Sequence, residues 1–348
     1  MRYTNVCVEA ISHVLPPTIL TSTELERQLE PLYQRLKLPH GRLELMTGIR
    51  ERRFWKPGTR PSDVSAQAGA KALEAAGRDP EFVDCVLHCG VSRDAVEPAT
   101  STEVHRQLGL SGRALNFDLS NACLGVLSGM LMVAGMIELG QITCGLVVTG
   151  EDARPLVEST VRELNENTSF TRKTIKPHFA SLSIGSAASA VLLTHRRASN
   201  AGHRLLGGAS WSNTTQNALC RGGESGAVSA GGGPLMATDS EALLERGVEV
   251  AKQTWRRLEE TLGWTSDTPD LVCTHQVGKA HTIRLFEELG LDPVRNFATF
   301  SYLGNCGSAS LPLTASIAAQ EGALADGDKL ALLGIGSGIN CTMLGVQW

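Results

Sequence analysis

The stretch that decides the fold is Phe117-Asp-Leu-Ser-Asn-Ala-Cys-Leu-Gly-Val-Leu-Ser-Gly-Met130. It reads as a short strand that turns and places Cys123 in the first turn of an apolar helix, which runs to about Glu138 and stops at Gly140. Because apolar residues occupy every face of this helix, we expect it to be buried inside the protein.

The thiol of Cys123 has two interpretations. Free cysteine is among the most commonly buried residue types and often only fills space. At a helix N-terminus, however, unpaired N–H groups and partial positive charge favour the thiolate and predict a pKa below the usual value of about 8.5. The same N–H groups can hold the oxyanion that forms when the sulfur attacks a carbonyl. The local sequence leaves both interpretations open.

The composition is that of an ordinary globular protein. The chain has 348 residues, 42% hydrophobic and 20% charged, and this length favours two domains or two halves. A formal net charge of -4 without a run of Lys or Arg argues against nucleic acid as a partner. The N-terminus lacks a signal-peptide pattern, and the apolar stretch after Cys123 is too short to span a bilayer. We therefore expect a cytoplasmic protein without a membrane span.

The nine cysteines are an odd number and lack paired spacing. Several lie in strand-like runs, which predicts buried reduced thiols rather than a disulfide framework. Cys85, His88 and Cys89 are of metal-ligand type, but strand alternation sends Cys85 and His88 to opposite faces and no second ligand pair follows. We therefore expect neither a metal site nor a cofactor.

The two halves of the chain repeat one pattern. In each, a strand leads to a turn, Asn121-Ala-Cys123 or Gly304-Asn-Cys306, then to an apolar helix and an apolar strand ending in glycine. This self-similarity predicts one supersecondary plan used twice, with two buried helices facing each other in a layered α/β fold. We place the halves at residues 1–195 and 196–348, with glycine clusters at 222–223 and 231–233 marking the region between them.

Other segments carry local predictions. Ser22 or Thr23 is expected to cap one helix, and Ser62 another. Residues 155–180 are rich in Asn, Thr and Glu and predict an irregular excursion over the surface. Residues 195–240 show the weakest pattern of all, and the apolar run 297–302 predicts a strand.

Three polar residues stand at comparable places: Cys123 at a helix start, His275 at a strand end and Asn305 at a turn before the matching helix. A cysteine nucleophile needs a base or a hydrogen-bond donor nearby, and His275 and Asn305 can each supply a donor to a carbonyl oxygen. Each has an ordinary alternative, because a strand-end His is often structural and a turn Asn often caps a helix.

Two charged segments are also open to two interpretations. Arg50, Arg52 and Arg53 follow a turn glycine and belong either to an exposed charged strand or to a basic mouth for a phosphorylated ligand. Glu97 directly precedes Pro98 and a helix start, where an acid commonly only complements the helix N-terminus.

Together these motifs resemble the thiolase superfamily, in its ketoacyl synthase III branch, over essentially the whole chain. The motifs in that family's order and spacing are Thr47-Gly-Ile-Arg-Glu-Arg52, Asn121-Ala-Cys123, His275-Gln276, Gly304-Asn305 and Gly336-Ser-Gly338. The runs Val91-Ser-Arg-Asp-Ala-Val-Glu-Pro98 and Leu333-Gly-Ile-Gly-Ser-Gly-Ile-Asn-Cys341 are similar to those of the acyl-CoA-condensing members that start bacterial long-chain olefin biosynthesis.

The resemblance implies a thiolase fold, in which duplicated halves form a five-layered αβαβα sandwich, and a homodimer. It implies an acyltransferase that joins two long-chain fatty acyl-CoAs into a β-keto acid by a non-decarboxylative Claisen condensation, with downstream olefin-pathway enzymes as possible partners. The implied roles are Cys123 as nucleophile, Glu97 as the general base that reaches the partner's site, His275 and Asn305 as holders of the enolate oxygen, and the N–H groups of Cys123 and Ser337 as oxyanion hole. Arg50, Arg52 and Arg53 are implied CoA-phosphate contacts, with one of the three direct.

Two other activities fit the same residues. A ketoacyl synthase III would require a malonyl thioester for product, in fatty acid or secondary metabolite synthesis. An acyl-CoA thioesterase would release CoA from acyl-Cys123 without forming a carbon–carbon bond. A scaffold without activity fits poorly, because Cys123, His275 and Asn305 are all present.

Overall fold

The structure, a computed structural model, describes residues 1–222 and 236–348. Gly223 and the glycine cluster 231–233, which helped to mark the predicted region between the halves, lie outside these ranges. The strands are β1 (Val6–Val14), β2 (Thr18–Thr21), β3 (Glu51–Phe54), β4 (Cys85–His88), β5 (Leu115–Asp118), β6 (Cys144–Glu151), β7 (Ala187–His195), β8 (His203–Ser212), β9 (Cys220–Gly222), β10 (Met236–Thr238), β11 (Leu271–Thr274), β12 (Asn296–Phe297), β13 (Lys329–Gly336) and β14 (Asn340–Gln347).

The α-helices begin and end close to the sequence signals for capping and termination. They are α1 (Ser22–Gln28), α2 (Glu30–Leu36), α3 (Arg42–Thr47), α4 (Pro61–Ala76), α5 (Thr100–Leu108), α6 (Gly125–Glu138), α7 (Arg154–Glu166), α8 (Ser240–Leu262), α9 (Lys279–Leu289), α10 (Phe300–Leu303) and α11 (Ser310–Gln320). Short 3₁₀ helices at Ala122–Leu124 and Gly307–Ala309 directly precede α6 and α11.

The main sheet has ten strands in the order β12-β11-β13-β14-β8-β1-β7-β6-β4-β5. Strands from the first 195 residues fill one side, and strands from His203 onward fill the other. The two sides follow one plan, because β4 is parallel to β5 and β6 just as β11 is parallel to β12 and β13. They join where Cys7 of β1 pairs with Arg204 of β8, and Val8 with His203.

The helices arrange this sheet into layers. Helices α6 and α11 each pack against strands from both sides of the sheet, whereas α4 packs on the first side and α8 on the second. From outside to outside, the order is α4 with α5, the first five strands, α6 with α11, the second five strands, and α8 with α9. The layered α/β prediction and the burial of the helix after Cys123 are therefore confirmed. The predicted boundary at 195 falls in the turn between β7 and β8, and the division into two domains stays a prediction.

Three segment predictions are wrong. Residues 155–180 contain α7 and most of a 3₁₀ helix, Lys176–Ser183, whose apolar side chains such as Val157 and Phe179 are buried. The weakly patterned region 195–240 contains β8, a ten-residue strand. The run 297–302 holds only the end of β12 before α10 begins, because Gln276 binds the backbone N–H groups of Thr299 and Phe300.

Both predicted caps are also corrected. Helix α1 is capped by Thr21, whose hydroxyl accepts from the Glu24 N–H while the Glu24 carboxylate accepts from the Thr21 N–H. Helix α4 starts at Pro61, whose missing N–H makes a side-chain cap less necessary, and Ser62 lies inside the helix.

All nine cysteines are free thiols. Within residues 1–222 and 236–348, no helix is both long and apolar enough to cross a bilayer.

Candidate active site

Cys123 lies in the 3₁₀ helix between β5 and α6, at the point where the chain enters the interior. Ala122 adopts a left-handed φ of +45°, which turns the chain sharply before the helix. Gly125 opens α6 against the end of β4, where a Cβ would lie 2.4 Å from the Cys89 carbonyl oxygen. Only Cys123 and Cys220 among the nine cysteines are not fully buried. The turn therefore presents the Cys123 thiol at the edge of the core.

The protonation state of this thiol differs from the expectation. Burial raises the pKa of Cys123 to about 12, and the negative charge of Glu151 acts in the same direction. The prediction of a lowered pKa is wrong for this chain, because the loss of water and a nearby carboxylate outweigh the field of the helix N-terminus. The thiol is protonated at neutral pH, so its attack on a carbonyl requires a base.

His275 follows the end of β11 and is a neutral imidazole. The backbone N–H of His275 donates to the Leu333 carbonyl at 2.9 Å, and only 6% of the residue is exposed. Burial, with a contribution from His281, lowers the pKa of His275 to about 4. Its buried Nδ1 has no hydrogen-bond partner in the described part of the chain. A neutral imidazole has one nitrogen that accepts a proton and one that donates.

Asn305 is fixed by backbone and side chain together. Its N–H donates to Ser183 O at 3.0 Å, and its carbonyl accepts from Gly185 N at 2.9 Å. The side-chain Oδ1 accepts from Gly307 N at 3.0 Å. Because this oxygen is occupied by its own turn, the Nδ2 group is the part of the side chain that can serve a ligand, and it is a donor.

The turn that contains Ser337 connects β13 with β14 and lies against Cys123. A Cβ added at Gly336 would lie 3.5 Å from Cys123 N and 3.6 Å from Cys123 Cβ. Asn340 links the two segments, because its Nδ2 donates to Asn121 Oδ1 at 3.2 Å and to Ser337 O at 3.4 Å. The polar link through Asn340 was not predicted from the sequence, because it joins positions 219 residues apart.

The segments that carry Cys123, His275 and Asn305 are linked through β13 and the two 3₁₀ helices. The 3₁₀ helix of Cys123 contacts both the end of β13 and the 3₁₀ helix that follows Asn305. His275 is hydrogen-bonded to β13 through Leu333. An apolar cavity beside His275, between α8, α9 and the ends of β13 and β14, is lined by residues such as Leu244, Val277 and Leu285.

The three arginines have different surroundings. Arg50 is exposed, with 62% of its side chain accessible. Arg53 is half-buried and donates to the Pro16 carbonyl. Arg52 is 1% exposed, donates to Ser22 Oγ at 3.1 Å, and has its pKa lowered to about 10 by burial. The expectation for Arg52 is corrected, because strand alternation in β3 turns its guanidinium into the protein and away from any phosphate in solvent.

Glu97 lies near the end of the loop from Val91 to Pro98 and is exposed. The start of this loop is held by Glu151, whose carboxylate accepts from the N–H groups of Val91 and Ser92. Asp94, in the middle of the loop, accepts from Ser62 N and donates its N–H to Thr100 Oγ1, whereas Val96 beyond it is 99% exposed. Within the single chain, the structure thus leaves Glu97 at the surface rather than in the site of its own chain.

Comparisons with known proteins match this architecture from end to end. The family of 3-oxoacyl-[acyl-carrier-protein (ACP)] synthase III C-terminal domains matches residues 258–348. The chain is 39% identical to an acyl-CoA:acyl-CoA alkyltransferase of Shewanella oneidensis and 35% identical to one of Xanthomonas campestris, in each case over 100% of both proteins. The chain belongs to the OleA family of acyl-CoA:acyl-CoA alkyltransferases.

Crystal structures of Xanthomonas campestris OleA superpose with a TM-score of 0.94, at 35% identity and over 100% of this chain and 98% of that one. The predicted thiolase fold and the predicted family are therefore confirmed. A ketoacyl synthase III of Streptomyces coelicolor is 28% identical over 98% of this chain. One Xanthomonas OleA structure contains lauric acid and lauroyl-CoA, and others carry replacements of a cysteine, a glutamate or a histidine.

Proposed function

We propose that this OleA-family protein is an acyltransferase that condenses two long-chain fatty acyl-CoAs into a β-keto acid. The observation that carries the proposal is full-length identity of 39% and 35% to two enzymes named acyl-CoA:acyl-CoA alkyltransferase. The contacts of the 3₁₀ helix of Cys123 with β13, to which His275 is hydrogen-bonded, and with the 3₁₀ helix that follows Asn305 support the same chemistry. The reaction would be the first step of long-chain olefin or ketone biosynthesis, with later enzymes of that pathway taking the product.

The first half-reaction transfers an acyl group to Cys123. The protonated thiol gives its proton to His275, which is neutral because burial lowers its pKa to about 4. The sulfur attacks the thioester carbonyl, and the N–H groups of Cys123 and Ser337 hold the oxyanion. Collapse of the intermediate expels CoA, whose sulfur takes the proton from His275, and leaves acyl-Cys123 with a neutral imidazole.

The second half-reaction requires a carbon nucleophile. A plain acyl-CoA has no carboxylate to lose as CO2, so a base must remove its weakly acidic α-proton, and Glu97 is the carboxylate proposed for this task. His275 and the Nδ2 group of Asn305 donate to the enolate oxygen. The enolate attacks acyl-Cys123, and the Cys123 thiolate leaves and regains a proton, for which the α-proton held by Glu97 is the source. Water then hydrolyses the β-ketoacyl-CoA to the free β-keto acid and CoA.

A homodimer would bring Glu97 to a site. Strand β5 is the edge of the ten-stranded sheet, and its Leu115 and Phe117 are 50% and 37% exposed. An open edge with apolar side chains invites pairing with another strand. Two copies joined through β5 would place the exposed loop of Glu97 against the partner. In Xanthomonas OleA, the replaced glutamate and cysteine have the same sequence separation as Glu97 and Cys123.

CoA binding is proposed at the rim that contains Arg50. Its N–H donates to Ser301 O at 2.8 Å, which ties this strand to α10. Gly48 packs so closely on Lys279 that a Cβ would lie 3.1 Å from the lysine Cβ. The rim therefore carries two exposed cations, Arg50 and Lys279, near His275. Such cations suit phosphate groups.

The test is a Glu97→Gln variant given myristoyl-CoA alone, with Glu74→Gln on the exposed face of α4 as a matched control. Mass spectrometry follows acyl-Cys123 on the intact protein and the ketone that forms when the β-keto acid decarboxylates. We expect acylation to persist and ketone to fall about 100-fold in Glu97→Gln, while the control matches wild type. Undiminished ketone in Glu97→Gln would remove the role of Glu97.

The wild type distinguishes the alternatives. Ketone formed only after malonyl-CoA is added indicates a ketoacyl synthase III. Release of CoA without any ketone indicates a thioesterase.

A further inference from the structure

Glu151, the last residue of β6, connects two segments that carry proposed site residues. It is only 5% exposed. Its Oε1 accepts from Val91 N at 3.0 Å and from Ser308 Oγ at 2.7 Å, and its Oε2 accepts from Ser92 N at 3.0 Å. Val91 and Ser92 begin the loop of Glu97, and Ser308 lies three residues after Asn305.

The residues around the Glu151 carboxylate pack closely against it and hold its backbone in place. Gly307 has a φ of +56°, and a Cβ there would lie 3.1 Å from Glu151 Cδ and 3.2 Å from its Oε1. The main chain of the same strand end is held as well, because Trp55 Nε1 donates to Glu151 O at 2.9 Å. A buried carboxylate is costly unless donors surround it, and hydrogen bonds to a charged acceptor are strong.

We propose that Glu151 is a positioning residue that holds the Glu97 loop and the Asn305 turn in fixed relation to Cys123, and thereby controls condensation rather than acylation. The inference rests on the proposed function. A glutamine at this position has the same shape but presents an NH2 group to N–H donors, so one of the two segments loses its acceptor. A displacement of about 1 Å in a catalytic group can cost about 100-fold in rate.

The charge of Glu151 gives the proposal a second readout. This carboxylate contributes to the raised pKa of the Cys123 thiol. Its neutralisation therefore lowers the pKa of Cys123 and increases the thiolate fraction at a given pH. A positioning role thus predicts that the thiol becomes more acidic and condensation slows while acylation by myristoyl-CoA persists. A general loss of structure also exposes the thiol to alkylation, but it abolishes acylation together with condensation.

The experiment compares wild type, Glu151→Gln, Ser308→Ala and the exposed control Glu158→Gln as purified full-length proteins. Three quantities are measured: acylation of Cys123 by myristoyl-CoA, ketone formation, and the rate of iodoacetamide alkylation of Cys123 as a function of pH. For Glu151→Gln we expect ketone formation to fall about 100-fold, acylation to remain within about threefold of wild type, and the alkylation profile to move to lower pH. The control is expected to match wild type in all three.

Ser308→Ala removes one donor to the same carboxylate and keeps the charge. We expect a loss of ketone formation of about tenfold with an unchanged alkylation profile, and this variant decides the question if Glu151→Gln does not fold. Unchanged ketone formation in Glu151→Gln, or a parallel fall of acylation and ketone formation, overturns the proposal. If wild type itself forms no ketone, it is the proposed function that fails, and the alkylation profile of Glu151→Gln still reports whether the carboxylate acts on Cys123.

Discussion

Two 3₁₀ helices precede the buried helices of the two halves, Ala122–Leu124 and Gly307–Ala309. They have the same backbone shape, but the space beside the second is filled by a carboxylate and the space beside the first is not. Each begins with a left-handed residue, Ala122 at φ +45° and Gly307 at φ +56°, and each leads directly into a buried helix. This alignment pairs Cys123 with Ser308. The sequence echo between Asn-Ala-Cys and Gly-Asn-Cys had paired Cys123 with Cys306, two positions away.

The ends of the strands that face these two turns explain why the space beside Cys123 is open and the space beside Ser308 is not. Strands β6 and β13 occupy equivalent places in the two sides of the sheet, and each is eight residues long. Beside Cys123, β13 ends in Gly336, which has no side chain. Beside Ser308, β6 ends in Glu151, whose carboxylate fills the space and accepts from the serine. A duplicated plan thus yields one open site and one filled site.

The largest effect is expected from the open site. Cys123→Ala removes the atom that carries the acyl group, so we expect ketone formation from myristoyl-CoA to fall by about 10³-fold or more and no acyl adduct to form. Intact-mass spectrometry measures the adduct. Cys85→Ala, which changes a fully buried cysteine of β4, is the matched control and is expected to keep both activities. An acyl adduct on Cys123→Ala would place the nucleophile elsewhere.

The second prediction concerns a variant in which a glutamate occupies the open site beside Cys123, as Glu151 occupies the site beside Ser308. In Gly336→Glu, the new side chain occupies the space beside Cys123 N and adds a negative charge, so we expect acylation to fall about 100-fold. Gly336→Ala is the control. Its Cβ would lie 3.3 Å from Leu124 Cγ and 3.5 to 3.6 Å from Cys123, so we expect its acylation rate to fall by less than about tenfold. Equal acylation in the two variants would show that the emptiness of this position is irrelevant.

The third prediction concerns the histidines that each side buries near the end of an equivalent strand, His88 and His275. Burial lowers the pKa of both, that of His275 from 6.5 to about 4. The unfolded chain therefore binds a proton below about pH 6.5 that folded His275 refuses until about pH 4, and stability is lost as pH falls through this window. For His275 the loss is up to about 3 kcal/mol.

Urea unfolding of wild type and His275→Gln at about pH 7 and about pH 4 measures this loss. The free energy of unfolding of the variant is expected to fall less between the two conditions, because only His88 and the other titrating groups then contribute to the pH-dependent loss. An identical pH dependence of stability in both proteins would mean that folding does not lower the pKa of His275.

The smallest effect is expected at the turn that Glu151 fills. Gly307→Ala forces a side chain into a left-handed conformation and against the Glu151 carboxyl, so we expect the free energy of unfolding to fall by about 1–2 kcal/mol. Gly112→Ala, whose Cβ would meet no atom within 4 Å, should stay within about 0.5 kcal/mol of wild type. Urea unfolding at neutral pH compares the two, and equal stability would contradict the strain assigned to this turn.

The sequence predicted the elements whose pattern is local. The helix after Cys123 and the strands before His275 and Gly336 follow from runs of apolar residues bounded by glycine or polar residues. It missed β8, because this strand begins amid polar and glycine residues and is stabilised by pairing with β14 and β1, which lie far away in the chain. It missed α7 because the segment is rich in polar residues, although Val157, Val161 and Leu164 recur at the spacing typical of an amphipathic helix.

The sequence by itself determined the chemistry available to this protein: one thiol at a turn before a buried helix, a histidine and an asparagine at matching ends, and a motif order that identifies the family. The tertiary structure decided which groups are near one another, and hence their protonation. A side chain's pKa depends on burial and on neighbouring charges, and those come from distant parts of the chain. For this reason the position of Cys123 at a helix N-terminus gave the wrong direction for its pKa. The role of Glu151 as a shared hydrogen-bond acceptor could be seen only in the tertiary structure, where the end of β6 lies beside both the Glu97 loop and Ser308.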